Sequence, residues 1–196
     1  MPNRIGIFGG TFDPVHDGHL EAAEAVRRQL GLDRMLLVVA NEPWQKEGVR
    51  PVTPAEDRYA MVAAAVEGHP GLEPSRLELE RGGPSYTVDT VDELHRAEPG
   101  SQLYLVVGAD VVADLPTWHD EGRLRGEVTL AVVDRPGAPA VPPPPGWRSV
   151  DVPVAPVDVS STGLRDRLAA GLPVDGMVPE AVMRCIRRRG LYATGR

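Results

Sequence analysis

Two short apolar segments flank a helical one between residues 4 and 40, and this arrangement constrains the fold more than any other feature. Residues 4–8 have the pattern of a buried strand, a loop rich in Gly, Asp and Pro follows, and residues 19–30 have the periodicity of a helix. Residues 35–40 are apolar throughout, which is typical of a parallel strand covered on both faces. The three segments predict a β-α-β unit.

The rest of the chain continues this alternation. Thr53, Pro54 and Glu56 have the N-cap, first-turn and capping-box residue types of a helix that should run to about Glu67. The alternating segment Leu77–Glu80 predicts a half-exposed strand. Further patterns predict a helix over residues 88–95, strands over 103–107 and 128–133, a short Val-rich stretch after the proline segment, a capped helix from Ser161 or Thr162 to Ala170, and a last helix from Pro179 to about Arg189, ended by Gly190.

Alternating strands and helices predict an α/β fold, a doubly wound, Rossmann-like parallel sheet flanked by helices. Residues 1–196 are expected to form a single domain with a small C-terminal helical part at about 160–190. Six of the ten residues from 136 to 145 are proline, so residues 136–146 should form an extended surface loop.

Charge and composition exclude several classes of protein. The net charge of −7 argues against a broad nucleic-acid surface, and arginines 184 and 187–189 are more simply a solvated helix face. There is no apolar run of membrane-spanning length, so we expect a cytoplasmic protein without membrane contact. The single cysteine, Cys185, is interpreted as structural. A homo-oligomer is compatible with the sequence.

The loop after the first strand predicts an anion site. In open parallel sheets ligands bind beyond the carboxyl ends of the strands. Gly9 and Gly10 would let the backbone approach a phosphate, Thr11 adds a hydroxyl, and the next helix directs its positive N-terminal end to the same place. The loop has neither the Walker pattern nor the Gly-x-Gly-x-x-Gly fingerprint.

His16-Asp17-Gly18-His19 gives this site its chemistry. Imidazoles three residues apart lie on one side of a helix start, where both can stabilise charge growing on a phosphoryl group. Gly18, a residue unfavourable inside a helix, leaves room for a flat base. Two alternatives stay open. The histidines could be ordinary surface residues, or they could bind zinc, although His69, His95 and His119 have no recognisable ligand spacing.

A second motif, Val159-Ser160-Ser161-Thr162-Gly163-Leu164-Arg165, places hydroxyls and a guanidinium on one first helical turn. These groups suit the β- and γ-phosphates of ATP, because a planar cation with several donors matches phosphate oxygens. An ordinary capped helix explains the same residues equally well.

The string from Gly9 to Leu20, Gly-Gly-Thr-Phe-Asp-Pro-Val-His-Asp-Gly-His-Leu, resembles the signature of the bacterial nicotinate-nucleotide adenylyltransferases, within the nucleotidyltransferase superfamily marked by His-x-Gly-His. The second motif resembles the superfamily's Ser-Ser-Thr-x-x-Arg, and residues 178–192 resemble its C-terminal helix with a Gly-Leu-Tyr end. The resemblance implies that His16, His19 and Thr11 are catalytic. It also implies an ATP-binding set of Gly9, Gly10, Thr11, Phe12, His16, Gly18, His19, Gly108, Asp110, Ser161, Thr162 and Arg165.

Other segments bear on the acceptor. Ser85-Tyr86-Thr87-Val88-Asp89-Thr90 resembles the family motif whose backbone amides meet the nicotinate carboxylate, and a helix N-terminus there gives the physical reason. Trp118 resembles the ring-stacking tryptophan, with the amide of His119 reaching the carboxylate. Trp44-Gln45 stands where the family commonly has Pro-His. The implied acceptor-binding residues are Thr11, Lys46, Tyr86, Thr87, Trp118, His119 and Arg135.

The resemblance thus implies transfer of the adenylyl group of ATP to nicotinate mononucleotide, with Mg²⁺ carried by the ATP phosphates rather than by a carboxylate cage in the protein. ATP and the mononucleotide would be its small-molecule partners. Adenylyl transfer to nicotinamide mononucleotide or phosphopantetheine is the alternative within enzymes. A nucleotide-binding module without catalysis is the alternative from another class.

Overall fold

The computed structural model describes residues 2–43, 51–133 and 142–193. Its six strands form one parallel sheet in the order β3-β2-β1-β4-β5-β6. This order confirms the doubly wound, Rossmann-like sheet flanked by helices. The strands are β1 (Arg4–Gly10), β2 (Arg34–Val39), β3 (Leu72–Ser75), β4 (Gln102–Gly108), β5 (Val128–Val133) and β6 (Arg148–Val152).

Helices cover both faces of the sheet. Between residues 112 and 117 the chain also makes a 3₁₀ helix, Val112–Thr117, that leads into Trp118. None of the helices in the described ranges is long and apolar enough to cross a membrane. The α-helices are α1 (Asp17–Gln29), α2 (Ala55–Val66), α3 (Leu77–Arg81), α4 (Thr87–Ala97), α5 (Glu121–Glu127), α6 (Ser161–Ala169) and α7 (Glu180–Arg189).

Each face of the sheet has its own apolar core. Along β2, Met35 and Leu37 join the core formed with α1, α2, α6 and α7, while Leu36 and Val38 join the core formed with α4, the 3₁₀ helix and α5. A strand buried on both faces needs an apolar residue at every position, which explains the continuous runs in the sequence. Cys185 lies within the first core and is 3% exposed, as its structural interpretation requires.

One predicted strand is wrong. Residues Leu77–Glu80 belong to the short helix α3, whose last turn closes with the amide of Gly82 on the carbonyl of Glu78. The edge strand precedes it, at Leu72–Ser75, and contains Pro74, which an edge strand tolerates. Four alternating residues are too few to distinguish a strand from one helical turn.

Several helix ends differ from their predicted positions. Helix α2 begins at Ala55 with Pro54 at the N-cap, so Thr53 is not its cap. Helix α6 is capped by Ser160, whose hydroxyl accepts a hydrogen bond from the amide of Gly163. Helix α1 begins at Asp17, two residues before the predicted start. Most of the proline-rich loop, residues 136–141, lies outside the described residues.

Candidate active site

A cleft of about 1110 Å³ opens at the carboxyl ends of β1 and β4. These two strands are neighbours, but the chain leaves β1 toward one side of the sheet and β4 toward the other, which is the switch point where ligands bind in such sheets. Three groups of residues line it: the β1 loop and the start of α1, the start of α4 with Trp118 and His119, and the segment 154–160 before α6. Its volume is near the upper end of the range of about 300–1,000 Å³ for small-molecule and cofactor sites.

The β1 loop shapes the floor of the cleft. A side chain at Gly9 would meet no atom within 4 Å, so its backbone is open to a ligand. At Gly10 a Cβ would lie 2.9 Å from the ring of Phe12, which is buried and has a positive φ of 50°. The loop continues through a cis Asp13–Pro14 peptide to the start of α1. Thr11 lies on the cleft surface.

The two histidines lie against each other at the start of α1. Their rings stack with centroids 3.7 Å apart, and Phe12 packs its ring edge-on to His19. The backbone N–H of His16 donates to Nδ1 of His19 over 3.2 Å, so the neutral His19 ring has its proton on Nε2. His19 thereby takes the place that Glu or Gln has in a capping box. Both imidazoles line the cleft, where they can donate to an anion.

Gly18 brings the start of α1 close to the segment before α6. A Cβ at this position would lie 3.2 Å from Nδ1 of His16 and 3.2 Å from Cγ1 of Val159. The His-x-Gly-His motif and the serine-rich motif therefore face each other across this narrow wall of the cleft.

Side chains of the second motif hold the β1 loop. Ser161 donates its hydroxyl hydrogen to the carbonyl of Pro14 over 2.9 Å. Arg165 donates through Nη1 to the carbonyl of Asp13 over 2.7 Å and through Nη2 to the hydroxyl of Thr162 over 3.1 Å. The motif's contribution to the cleft surface comes from Val159, Ser160, Gly163 and Leu164 instead. Phosphate contacts by Ser161, Thr162 and Arg165 stay predictions.

The opposite wall contains the residues predicted for the acceptor. Tyr86 and Thr87 begin α4 and line the cleft. The Tyr86 ring stacks on the ring of His119 with centroids 4.2 Å apart. Trp118 lies beside them, half-buried, and its Nε1 atom has no hydrogen-bond partner among the described residues. Aromatic rings and the amides of a helix start thus lie on one surface.

The remaining predicted residues divide into two groups. Gly108 ends β4 and Asp110 follows it with an exposed side chain, and both line the cleft. Lys46 and Arg135 lie outside the described residues, as does the Trp44-Gln45 substitution. In residues 2–43, 51–133 and 142–193, no group of three His, Cys, Asp or Glu side chains could hold a metal ion.

Sequence reasoning missed Arg58, a fully buried arginine beneath the site. Its guanidinium donates to three backbone carbonyls: Nε to Thr53 over 2.7 Å, Nη1 to Thr11 over 2.8 Å and Nη2 to Asn41 over 3.0 Å. The side chain is 1% exposed. It joins the loops that follow β1 and β2 to α2, so it fixes the floor on which Thr11 lies.

Sequence reasoning also gave no role to Tyr192, although it included the Gly-Leu-Tyr segment that contains this residue. Its hydroxyl donates to Oδ1 of the buried Asp13 over 2.7 Å. Burial raises the pKa of the Tyr192 phenol far above its ordinary value. The C-terminal segment is thereby tied to the β1 loop next to the cleft.

The strand order, the cleft at the switch point and the paired histidines define a class of nucleotidyltransferases, and a family model described as cytidylyltransferase-like matches residues 7–167. The Plasmodium falciparum nicotinic acid mononucleotide adenylyltransferase complexed with NaAD has the same fold, with a TM-score of 0.80 at 16% identity over 97% of both chains.

Sequence relatives narrow the class. The probable nicotinate-nucleotide adenylyltransferase of Corynebacterium kroppenstedtii is 43% identical over 96% of this chain and 90% of its own. A protein of the same description from Thermus thermophilus is 46% identical over 96% of this chain and 99% of its own. This chain belongs to the family of nicotinate-nucleotide adenylyltransferases.

Proposed function

We propose that the protein transfers the adenylyl group of ATP to nicotinate mononucleotide, a step of NAD biosynthesis. A phosphate oxygen of the mononucleotide attacks the α-phosphorus of ATP, a new P–O bond forms, and the bond to the β-phosphate breaks. Nicotinate adenine dinucleotide and pyrophosphate are the products. The single observation that supports this proposal best is one cleft with paired histidines on one wall and the start of α4 on the other.

The roles proposed for the β1 loop and the start of α1 follow from the charge of the reacting phosphates. The attacking phosphate is already an anion, so the protein orients it and stabilises the charge that develops on the transferred group. His16 and His19 donate to the phosphates of ATP, and Thr11 aligns the two reacting groups. Gly9, Gly10, Phe12 and Gly18 shape the nucleotide surface, and Gly108 and Asp110 contact the ribose side.

The leaving group needs its own contacts. Ser161, Thr162 and Arg165 are proposed to hold the pyrophosphate, next to the cleft surface formed by Ser160 and Gly163. Free N–H groups and the partial positive charge of the α6 N-terminus favour an anion there. Mg²⁺ enters with ATP as part of the substrate and neutralises phosphate charge.

Acceptor recognition is proposed for the wall at α4. The amides at the start of this helix donate to the nicotinate carboxylate at Tyr86 and Thr87, and the amide of His119 adds a further donor. Trp118 stacks on the pyridine ring. Lys46 and Arg135 are proposed to contact the acceptor phosphate.

An acceptor panel tests the proposed reaction. The purified protein is mixed with ATP, Mg²⁺ and, separately, nicotinate mononucleotide, nicotinamide mononucleotide or phosphopantetheine, and pyrophosphate release is followed. The proposal predicts the highest kcat/KM for nicotinate mononucleotide. Preference for either other acceptor would refute the assignment of the acceptor.

Replacement of one histidine separates the enzyme from a catalytically silent binding module. His16→Ala removes a donor to the transferring phosphate, so turnover should fall by about 10²–10³-fold while ATP affinity changes little. His95→Ala is the matched control, because His95 lies outside the cleft and pairs with Glu127. Absent turnover in the unmodified protein despite ATP binding would support the silent module.

A further inference from the structure

Glu78 is a buried carboxyl group in the wall of the cleft with no role in the proposed reaction. It lies on α3, the five-residue helix that precedes the acceptor segment, and is 6% exposed. Charged side chains are rarely buried unless they are paired or hydrogen-bonded. The partners of Glu78 therefore indicate what the burial achieves.

Two hydroxyl groups contact this carboxyl group. Thr90 donates its hydroxyl hydrogen to Oε1 of Glu78 over 2.8 Å, and hydrogen bonding from the nearby Ser85 side chain lowers the pKa of Glu78. Each hydroxyl also accepts a hydrogen bond. Arg81 donates to Thr90 over 3.2 Å, and the backbone N–H of Asn41 donates to Ser85 over 2.8 Å.

All the hydrogen bonds of this small network are directed toward the carboxyl group of Glu78. A hydroxyl group has one hydrogen, so a hydroxyl that accepts from a backbone N–H or a guanidinium must give that hydrogen to another acceptor. A carboxylate, which only accepts, satisfies both hydroxyls at once. A carboxamide at the same position would present a donor to one of them and reverse or break one link.

The network determines where the acceptor wall lies. Ser85 is adjacent to Tyr86, and Thr90 lies in the first turn and a half of α4, so Glu78 holds the start of this helix from two sides. Asn41, in the loop after β2, is bound to the same segment, since its side-chain amide donates to the carbonyl of Gly83 over 3.0 Å. The amide of Ser85 donates to the carbonyl of Glu42 over 3.1 Å.

Charge compensation keeps the carboxyl group compatible with an anionic acceptor. Arg81 lies 3.9 Å from Glu78 and 3.2 Å from Glu93. Burial raises the pKa of Glu78, while the hydrogen bonds from Ser85 and Thr90 and the nearby Arg81 lower it. Arg81 thus places one positive charge beside the two carboxyl groups of Glu78 and Glu93.

We infer that Glu78 is a positioning residue for the acceptor: through Ser85 and Thr90 it fixes the start of α4, so that the amides there meet the acceptor carboxylate. This inference rests on the proposed function for its substrate, but the position of the amides can be measured without any substrate. ATP, on the opposite wall, should be recognised independently of Glu78.

Glu78→Gln tests the inference by steady-state kinetics. We expect KM for nicotinate mononucleotide to rise at least about tenfold while KM for ATP stays within about twofold, because a displaced amide weakens contacts to the acceptor alone. Glu93→Gln is the matched control, since it removes the other carboxylate of Arg81 without touching Ser85 or Thr90, and should leave both KM values unchanged. An unchanged acceptor KM in Glu78→Gln, or a parallel rise in both, overturns the inference.

Two further experiments distinguish failure of this inference from failure of the proposed function. Ser85→Ala removes the Ser85 hydroxyl and retains the buried carboxyl group, so it should reproduce the selective rise in KM for the acceptor. If Glu78→Gln does not fold, this variant tests the positioning role in its place. Amide hydrogen exchange in the ligand-free protein should accelerate at residues 85–87 in Glu78→Gln but not in Glu93→Gln. If the unmodified protein has no activity with nicotinate mononucleotide, the proposed function fails, and unchanged exchange at residues 85–87 separately refutes the positioning role.

Discussion

Removing the Arg58 guanidinium should destabilise the protein strongly, and Arg58→Met is the appropriate change because it retains an unbranched apolar side chain. The three carbonyls that accept from Arg58, those of Thr53, Thr11 and Asn41, would lose their donor. Each unsatisfied buried acceptor costs about 1–3 kcal/mol. Part of this loss is offset because a charge no longer has to be buried.

We therefore expect the free energy of unfolding to fall by about 3–5 kcal/mol, which is the cost of three unsatisfied carbonyls less the desolvation cost that is relieved. For a chain of this size that corresponds to a decrease in Tm of about 2–4 °C per kcal/mol. Urea denaturation followed by circular dichroism measures the change. Arg58→Lys should recover only part of it, because one ammonium group cannot reach three carbonyls in different loops.

Arg96→Met is the control, because Arg96 is exposed on α4 and its replacement should change the free energy of unfolding by no more than about 0.5 kcal/mol. A loss below about 1 kcal/mol in Arg58→Met would show that the three hydrogen bonds do not hold the loops.

Three further changes test separate parts of the structure. Tyr192→Phe leaves Oδ1 of Asp13 without its phenol donor and should lower the free energy of unfolding, measured by urea denaturation, by about 1–3 kcal/mol. An unchanged free energy of unfolding would show that this bond does not tie the C-terminal segment to the β1 loop. Gly18→Ala places a Cβ 3.2 Å from Nδ1 of His16 and Cγ1 of Val159, so kcat/KM for ATP should fall about tenfold in a pyrophosphate assay. An unchanged kcat/KM would show that the close approach at Gly18 does not matter for ATP. Burial raises the pKa of Glu78 above its ordinary 4.5, so between pH 4.5 and the raised pKa the folded protein binds more protons than the unfolded chain, and its stability falls as pH rises through this window. Glu78→Gln should have a flatter profile of unfolding free energy against pH there, and parallel profiles would contradict the shift.

Sequence patterns predicted the central strands because each is buried on both faces. Helices on each side require apolar residues at consecutive positions, so β2 and β5 are visible as largely apolar runs. The edge strand β3 is only four residues long and contains a proline, and no local signal distinguishes it from a loop. The alternating residues that follow it belong to a helix in which Glu78 is buried and bonded to Thr90, while Leu77 and Leu79 pack against opposite cores, so alternation was not a sign of a strand.

The candidate site was predictable where its residues are adjacent in the chain. His16, Gly18 and His19 form a local motif, and the structure brings them to the cleft. Arg58 could have been identified from its helix position. It shares the buried face of α2 with Met61, Val62 and Ala65, and a charged residue on such a face requires hydrogen-bond partners inside the protein. The pair of Tyr192 and Asp13 is separated by 179 positions, so no pattern of spacing could reveal it.

The location of the bound product tests the central claim most directly. A crystal structure of the protein with nicotinate adenine dinucleotide should place the adenylyl half beside His16 and Gly18 and the pyridine ring beside Tyr86 and Trp118. Thr11 should lie next to the bridging phosphates. A dinucleotide bound outside the cleft, or with its two halves exchanged between the walls, would contradict the account.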